Sequence, residues 1–254
     1  MSRSPSAPPI RVGVIGARGR MGKTVCEAVT ADSECELVAE LDLGDSLDQL
    51  TQQRVQVVVD FTSPDVVMDN IAFCIKSGID VVVGTSGFTT ERMAEVELWL
   101  AQRNSVKVLI APNFSVGAVL MTEFAAMAAP YFESVEIVEL HHPEKLDAPS
   151  GTSMHTAAKV SKAREHLAPS PDATLAESMQ ARGVFVDGIP IHSLRVRGLM
   201  AHQEVILGGV GETLTIRHDS MARESFMPGV LLAIKEIDHL SGLTVGLAPL
   251  LLGR

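Results

Sequence analysis

The chain of 254 residues has no excess of positive charge, no long apolar run and no cysteine framework. Its net charge is −10, from 21 Lys and Arg against 31 Asp and Glu. A nucleic-acid or anionic-membrane partner would require a basic face, so neither is expected. No stretch approaches the roughly 18 apolar residues that span a bilayer. The opening MSRSPSAPPI is polar and rich in Pro and Ser. It lacks the apolar centre of a secretory signal and reads as a disordered tail over residues 1–10. The three cysteines, Cys26, Cys35 and Cys74, are scattered without metal-ligand spacing. That usage suits a reducing, cytoplasmic setting and predicts neither a disulfide nor a metal site. What is there is ordinary for a globular protein, 46% apolar and 20% charged residues, in a chain long enough for two domains.

From Arg11 onward, strands and helices alternate. RVGVIG is an apolar run, GARGRMG a glycine turn, and Met21, Val25, Ala28 and Val29 fall at helical spacing. CELVAELD, RVQVVVDFT, IDVVVGT and VKVLIAPN read as further strands, the β-branched runs among them typical of strands buried on both faces of a parallel sheet. Between them, SPDVVMDNIAFCIKSG predicts a helix with Ser63 as N-cap, Pro64 in its first position and Gly78 past its end. This alternation predicts an α/β fold, a Rossmann-like doubly wound parallel sheet. Near Asn113 the rhythm stops. A helix over VGAVLMTEFAAMAAPYF and a strand over SVEIVELHH are followed by a helix from Ser150 and three strand-like runs, IPIHSLRVRG, AHQEVILGG and ETLTIRHDS. Short glycine-bearing turns between them suggest a mixed or antiparallel sheet. The expected division is a dinucleotide-binding domain over 11–114 and 218–254, with an α+β substrate and oligomerisation domain over 115–217.

The glycine turn carries Gly16, Ala17, Arg18, Gly19, Arg20 and Met21, with Gly22 closing it. Glycine between a first strand and a first helix lets the backbone approach a pyrophosphate at the helix N-terminus. Asp42, at the end of the second strand, is placed to hold ribose hydroxyls. A carboxylate there favours NADH, whereas the guanidiniums of Arg18 and Arg20 could bind the 2′-phosphate of NADPH, so both cofactors are expected. The segments Gly84, Thr85, Ser86 and Ala111, Pro112, Asn113, Phe114 leave the carboxyl ends of two strands. Ligands bind beyond that edge in doubly wound sheets, although N-capping turns would look the same in sequence.

The densest chemistry is HHPEKLDAPSGTS, residues 141–153. His141 and His142 end a strand and Lys145 follows within a turn. Successive strand residues point to opposite faces, so only one histidine can aim at a given atom. Ser150 fits an N-cap, which leaves the amides of Gly151 and Thr152 as an anion cradle. Two cations and an amide nest suit a small dicarboxylate. There is no His-x-x-x-His metal spacing and no G-x-S-x-G elbow, which argues against metal and serine-hydrolase chemistry.

ELHHPEKLDAPSGT, together with GARGRMG, GTSGFT and APNFSVG, resembles the 4-hydroxy-tetrahydrodipicolinate reductase (dihydrodipicolinate reductase) family over about Arg11 to Leu252. VGETLTIRHDS and SFMPGVLLA are similar to its actinobacterial branch. The resemblance implies an NADH- or NADPH-dependent oxidoreductase that reduces a cyclic dicarboxylate in the diaminopimelate route of lysine biosynthesis. It implies that Gly16 to Met21 and Asp42 bind the adenosine half of the cofactor. Gly84, Thr85 and Ser86, with Ala111 to Phe114, would line the nicotinamide end. His141 is then the proton donor or acceptor, Lys145 a second proton donor, and His142, Gly151 and Thr152 the carboxylate holders, with Ser150 beside them. A homotetramer built on the second domain's sheet, and hinge closure between domains, are implied as well. Ser86 stands where threonine is common, and Arg18 where many members have glycine. The rival readings are an L-aspartate dehydrogenase-like enzyme, an acylating semialdehyde dehydrogenase and a non-enzymatic NAD(P)-sensing protein. The second needs a placed thiolate, and the third would lack proton donors.

Overall fold

The computed structural model describes residues 8–253, so the expected tail lies outside the described residues except for its end. There the chain is already ordered: β1 (Ile10–Ile15) begins at Ile10, which pairs with Cys35. The chain divides into two units, one running up to Phe114 and resuming at Phe226, the other Ser115–Ser225.

The first unit follows the expected alternation. After β1 come α1 (Arg20–Ala31), β2 (Cys35–Leu41), a short α2 (Asp48–Gln52), β3 (Val57–Asp60), α3 (Val67–Ser77), β4 (Asp80–Val83), α4 (Thr90–Ala101) and β5 (Val108–Ile110). All strand pairs among these are parallel, and β3 is buried along its whole length. Residues buried on both faces cannot alternate with polar ones, which is why VVVD reads as a continuous run. α3 starts later than its sequence suggests. Pro64–Val66 form a turn in which the Ser63 carbonyl accepts from the amides of Val66 (3.2 Å) and Val67 (3.1 Å). The helix ends as expected, at Gly78 with φ 77°, a left-handed conformation that glycine adopts at little cost.

The second unit holds α5 (Val116–Ala128), β6 (Ser134–His141), α6 (Gly151–Ala163), β7 (Val184–Val186), β8 (Ile189–Arg195), β9 (Ala201–Gly209) and β10 (Glu212–Ser220). Its sheet has the order β10-β9-β6-β8-β7 and is mixed: β6 runs parallel to β8 and antiparallel to β9. Val135 and Ile137 of β6 and Val205 and Leu207 of β9 pack with Ala125, Ala157 and Val160 of the two helices. β10 runs on to Ser220, paired with Ala201, so the chain returns to the first unit at Phe226 rather than at 218. The returning segment adds α7 (Met227–Glu236), β11 (Leu243–Val245) and α8 (Ala248–Leu252). β11 pairs with β5 and completes the order β11-β5-β4-β3-β1-β2.

The sharpest steric constraint in the first unit is Gly22. A Cβ there would lie 1.9 Å from the Gly16 carbonyl oxygen, with the Gly16 and Ala17 backbone behind it, so α1 can approach β1 only through glycine. Gly151, at the start of α6, has nothing within 4 Å of its Cβ position. Gly22→Ala should therefore lower the urea midpoint by the equivalent of about 1–3 kcal/mol. Gly151→Ala, measured by the same titration, should stay within ~0.5 kcal/mol of the parent.

Candidate active site

In the first unit, the carboxyl ends of β1, β3 and β4 converge on Phe61 and Asp60. Gly16, at φ 83°, would place a Cβ 2.5 Å from the Phe61 carbonyl, and Gly84 would place one 2.1 Å from the Phe61 ring. Phe114 sits against the same ring, centroids 5.7 Å apart. Asp60 is fully buried and accepts from the Thr62 amide (3.0 Å), the Thr62 hydroxyl (2.7 Å), the Thr85 hydroxyl (2.8 Å) and the Asn70 amide nitrogen (2.8 Å). It holds the loops after β3 and β4 in register. Sequence reasoning passed over Asp60, although a carboxylate ending the run VVVD is its visible signal.

The glycine turn has the form a pyrophosphate needs. Gly19 is the N-cap of α1 and contributes no side-chain cap, so the first-turn amides face outward without a competing hydroxyl. Asp42 accepts from the Arg18 amide at 2.7 Å and the Leu43 amide at 2.8 Å. The amides of Leu43 and Arg18 hold its carboxyl below the usual range, so it stays ionised. The Arg18 guanidinium pairs with Asp45 at 2.8 Å, a partner that sequence reasoning did not single out. Arg18 and Arg20 are exposed, Met21 is half-buried, and Ala17 is buried. Among the nicotinamide-end candidates, Thr85, Ala111 and Phe114 are buried, Gly84 and Asn113 half-buried, and Ser86 and Pro112 exposed. A cradle that only glycine can form, an uncapped helix start and an ionised carboxylate beyond β2 together fit a nicotinamide dinucleotide.

In the second unit, the apolar face of the sheet turns polar toward the end of β6. The residues alternating inward are Val135, Ile137, Glu139 and His141, so a carboxylate occupies a core position, fully buried. Arg195 closes on it with two bonds, Nη1 to Oε2 and Nη2 to Oε1, each 3.0 Å. His141 Nδ1 is hydrogen-bonded to Glu139 Oε2. On the neighbouring β9, Gln203 donates to Thr156 at 2.9 Å, and Thr156 donates to the Thr152 carbonyl at 2.9 Å. Burial would raise the Glu139 carboxyl, but the bonds from Arg195, Ser193 and His141 outweigh it and leave it below the usual carboxylate range. Burial, then the charges of Lys145 and Arg195, push the His141 imidazole down against the pull of Glu139. His141 is therefore neutral near pH 7, with its remaining ring nitrogen able to take up a proton.

His142 is half-buried, and its carbonyl accepts from the Lys145 amide at 3.2 Å. Lys145 Nζ pairs with both Asp147 oxygens, at 2.7 and 2.9 Å, and the Asp147 carbonyl accepts from Arg195 at 2.7 Å. Ser150 is buried as the N-cap of α6 and accepts from the Ser153 amide at 3.2 Å, so its hydroxyl serves the helix. Gly151 is exposed and Thr152 half-buried on the first turn of α6. The three cysteines are buried and unpaired in disulfides, and burial followed by Glu40 raises the Cys26 thiol to about 12. None is the thiolate of an acylating dehydrogenase. Among the described residues, no three His, Cys, Asp or Glu side chains group as a metal site, and no helix is long and apolar enough to cross a membrane.

Residues 10–114 match the model of dihydrodipicolinate reductase, N-terminus, and residues 117–251 that of dihydrodipicolinate reductase, C-terminus. The chain belongs to the dihydrodipicolinate reductase family. It is 58% identical over 242 residues to the 4-hydroxy-tetrahydrodipicolinate reductase of Mycolicibacterium smegmatis, covering 95% of this chain and 99% of that one. The enzyme of the same name from Mycobacterium marinum is 56% identical over the same lengths. These are actinobacterial relatives, as VGETLTIRHDS and SFMPGVLLA suggested. A solved structure, dipicolinate-bound dihydrodipicolinate reductase from Paenisporosarcina sp. TG-14, superposes with a TM-score of 0.81 at 38% identity, over 94% of this chain and 98% of that one. The family is one of oxidoreductases with a Rossmann-like parallel sheet, and both expectations hold.

Within this dihydrodipicolinate reductase fold, Thr85 and Ser86 divide sharply by burial. Thr85→Val should cost about 1–3 kcal/mol in urea unfolding, because Asp60 loses a buried donor. Ser86→Ala, at an exposed hydroxyl, should leave the midpoint nearly unchanged.

Proposed function

We propose that this chain reduces 4-hydroxy-tetrahydrodipicolinate to tetrahydrodipicolinate with NADH or NADPH, and that the residues of HHPEKLDAPSGT and the glycine turn carry the reaction. The observation that supports this reading most strongly is His141, half-buried and held by a buried carboxylate at the end of β6. Gly16 to Met21 and Asp42 would hold the adenosine half, with Gly84 to Ser86 and Ala111 to Phe114 toward the nicotinamide. When bound, the reduced nicotinamide supplies a hydride, two electrons and a proton's nucleus, to the unsaturated ring that remains once the 4-hydroxy group has left as water. Addition of a hydride leaves the ring one proton short. His141 delivers that proton from the ring nitrogen that does not face Glu139, and recovers one from solvent. Two substrate carboxylates near the imidazole favour its protonated form, the reverse of burial in the free protein. Lys145, whose partner Asp147 is exposed, can turn to the substrate as a second proton donor beside one carboxylate. The amides of Gly151 and Thr152 and the Thr152 hydroxyl, with His142, receive the other.

Asp42 and the Arg18–Asp45 pair bear on cofactor choice. A 2′-phosphate would meet the Asp42 carboxylate and would have to draw Arg18 from Asp45, so NADH is favoured while NADPH is also used. The setting is cytoplasmic, and the assembly is a homotetramer formed through the second sheet. Val138, Leu140 and Leu194 on the sheet face away from α5 and α6 remain partly exposed, which suits a self-associating surface.

The test is an assay coupled to the preceding synthase, with pyruvate and aspartate semialdehyde supplied, following oxidation of NADH and NADPH separately. Oxidation with neither would refute the reading. His141→Gln should lower kcat by about 10²–10⁴-fold with little change in KM. Thr152→Val should raise substrate KM and largely spare kcat, since it affects binding of ground state and transition state alike.

A further inference from the structure

We propose that Glu139 and Arg195 are a positioning pair: they fix His141 as the tautomer with Nδ1–H on the carboxylate, so that only Nε2 exchanges protons with the substrate. The inference rests on the reading of His141 as the proton-transfer group and extends it to the two residues that hold its imidazole.

Three observations carry it. Strand alternation puts Glu139 inward, in line with Val135 and Ile137, where its side chain has 0% exposure. A carboxylate so buried must be fully paired, and its partners are Arg195 with two bonds, His141 Nδ1 and the Ser193 side chain. Because Arg195 and Glu139 fix each other in a planar fork, Oε2 cannot turn away from the imidazole. An ionised carboxylate only accepts, so the shared proton sits on Nδ1 and the lone pair of neutral His141 on Nε2. Arg195 reaches further, donating from Nη2 to the Asp147 carbonyl at 2.7 Å. One guanidinium thus ties the imidazole, through Glu139, to the loop that carries Lys145.

The charged groups facing His141 are Glu139 from its own strand, Arg195 from β8, and Lys145 and Asp147 from the loop after β6. Of these, Glu139 is in direct contact with the ring and is the negative charge that stabilises the imidazolium. Replacing it by glutamine keeps the shape and an acceptor oxygen but removes that charge and leaves Arg195 uncompensated. The imidazolium is then harder to form. The alkaline limb of the kcat profile moves to lower pH, and the loss grows as pH rises.

The experiment has two parts. In the unaltered protein labelled with ¹⁵N-histidine, with His141→Gln used to assign the signal, neutral His141 should appear protonated at Nδ1 and unprotonated at Nε2. The opposite tautomer, or an averaged pair, overturns the proposal, and this readout requires no variant of Glu139 to fold. In Glu139→Gln, kcat on the alkaline side of neutrality should fall about tenfold or more, with a smaller loss on the acid side and little change in KM. A folded Glu139→Gln enzyme whose kcat profile superimposes on the parent's also overturns it. If the parent itself oxidises no cofactor with this substrate, the functional reading fails, while the tautomer measurement still decides the placement of His141.

Discussion

A buried carboxylate, Glu139, is the constraint on which the second unit's chemistry depends. It occupies a position that the strand period reserves for an apolar side chain, between the Ile137 core and the end of β6. Removing one partner from such a pair typically costs about 3–5 kcal/mol, because the other charge stays behind in the interior. The pair is therefore poor economy for stability alone, and a hydrophobic residue of similar size would pack as well. What the charge provides is direction. Arg195 is held in a fork, His141 is held in one tautomer, and the loop from His142 to Ser150 is fastened at the Asp147 carbonyl.

The first unit solves a related problem with different means. Its strand ends must bring loops close enough to admit a dinucleotide, and bulk is the obstacle there. Gly16 and Gly84 each leave the space that the Phe61 backbone and ring occupy, and Gly22 lets α1 press on the Gly16 carbonyl. Asp60 then satisfies four donors, three from the flanking loops and one from α3, with one buried carboxylate. Glycine provides proximity, and the carboxylate fixes where the neighbouring backbone lies. Both devices act on the backbone, as the proposed site, where amides would meet the phosphates and Asp42 the ribose, requires.

The alternation of strands and helices from Arg11 was legible because both faces of that sheet are covered, and runs such as VVVD and DVVV have no other use. The mixed sheet was legible as a loss of that rhythm. Less was visible where two local rules competed. Ser63 and Pro64 have the chemistry of a helix start, yet the chain makes a turn first and α3 begins at Val67, with the Ser63 carbonyl as acceptor. β7 escaped notice because it is three residues long, although Asp187-Gly188, at φ 49° and 81°, is the hairpin signal that joins it to β8. Glu139 could have been found from the sequence alone. In VEIVELHH the inward row reads Val, Ile, Glu, His, and an ionisable residue in a core row demands a partner. Arg195 could not have been named, since its place beside His141 follows from the parallel register of β6 and β8, which no local pattern encodes.

The ion pairs of the protein sort by what their charges must do. Glu139 has no exposed surface, and its partners His141 and Arg195 are mostly covered. Lys145 is held by Asp147, whose side chain is 58% exposed, and Arg18, 67% exposed, is held by Asp45. The other member of each pair is partly covered, Lys145 at 21% exposure and Asp45 at 27%. With one side open to solvent such pairs contribute little, about 1 kcal/mol or less, so either cation can exchange its carboxylate for a ligand's. The same residue types therefore serve opposite purposes. Charges that must meet an incoming anion rest on weak, solvated partners, and the charge that orients an imidazole is sealed in the core. This difference in burial suits the proposed ligand contacts of Lys145 and Arg18 and the proposed supporting role of Glu139.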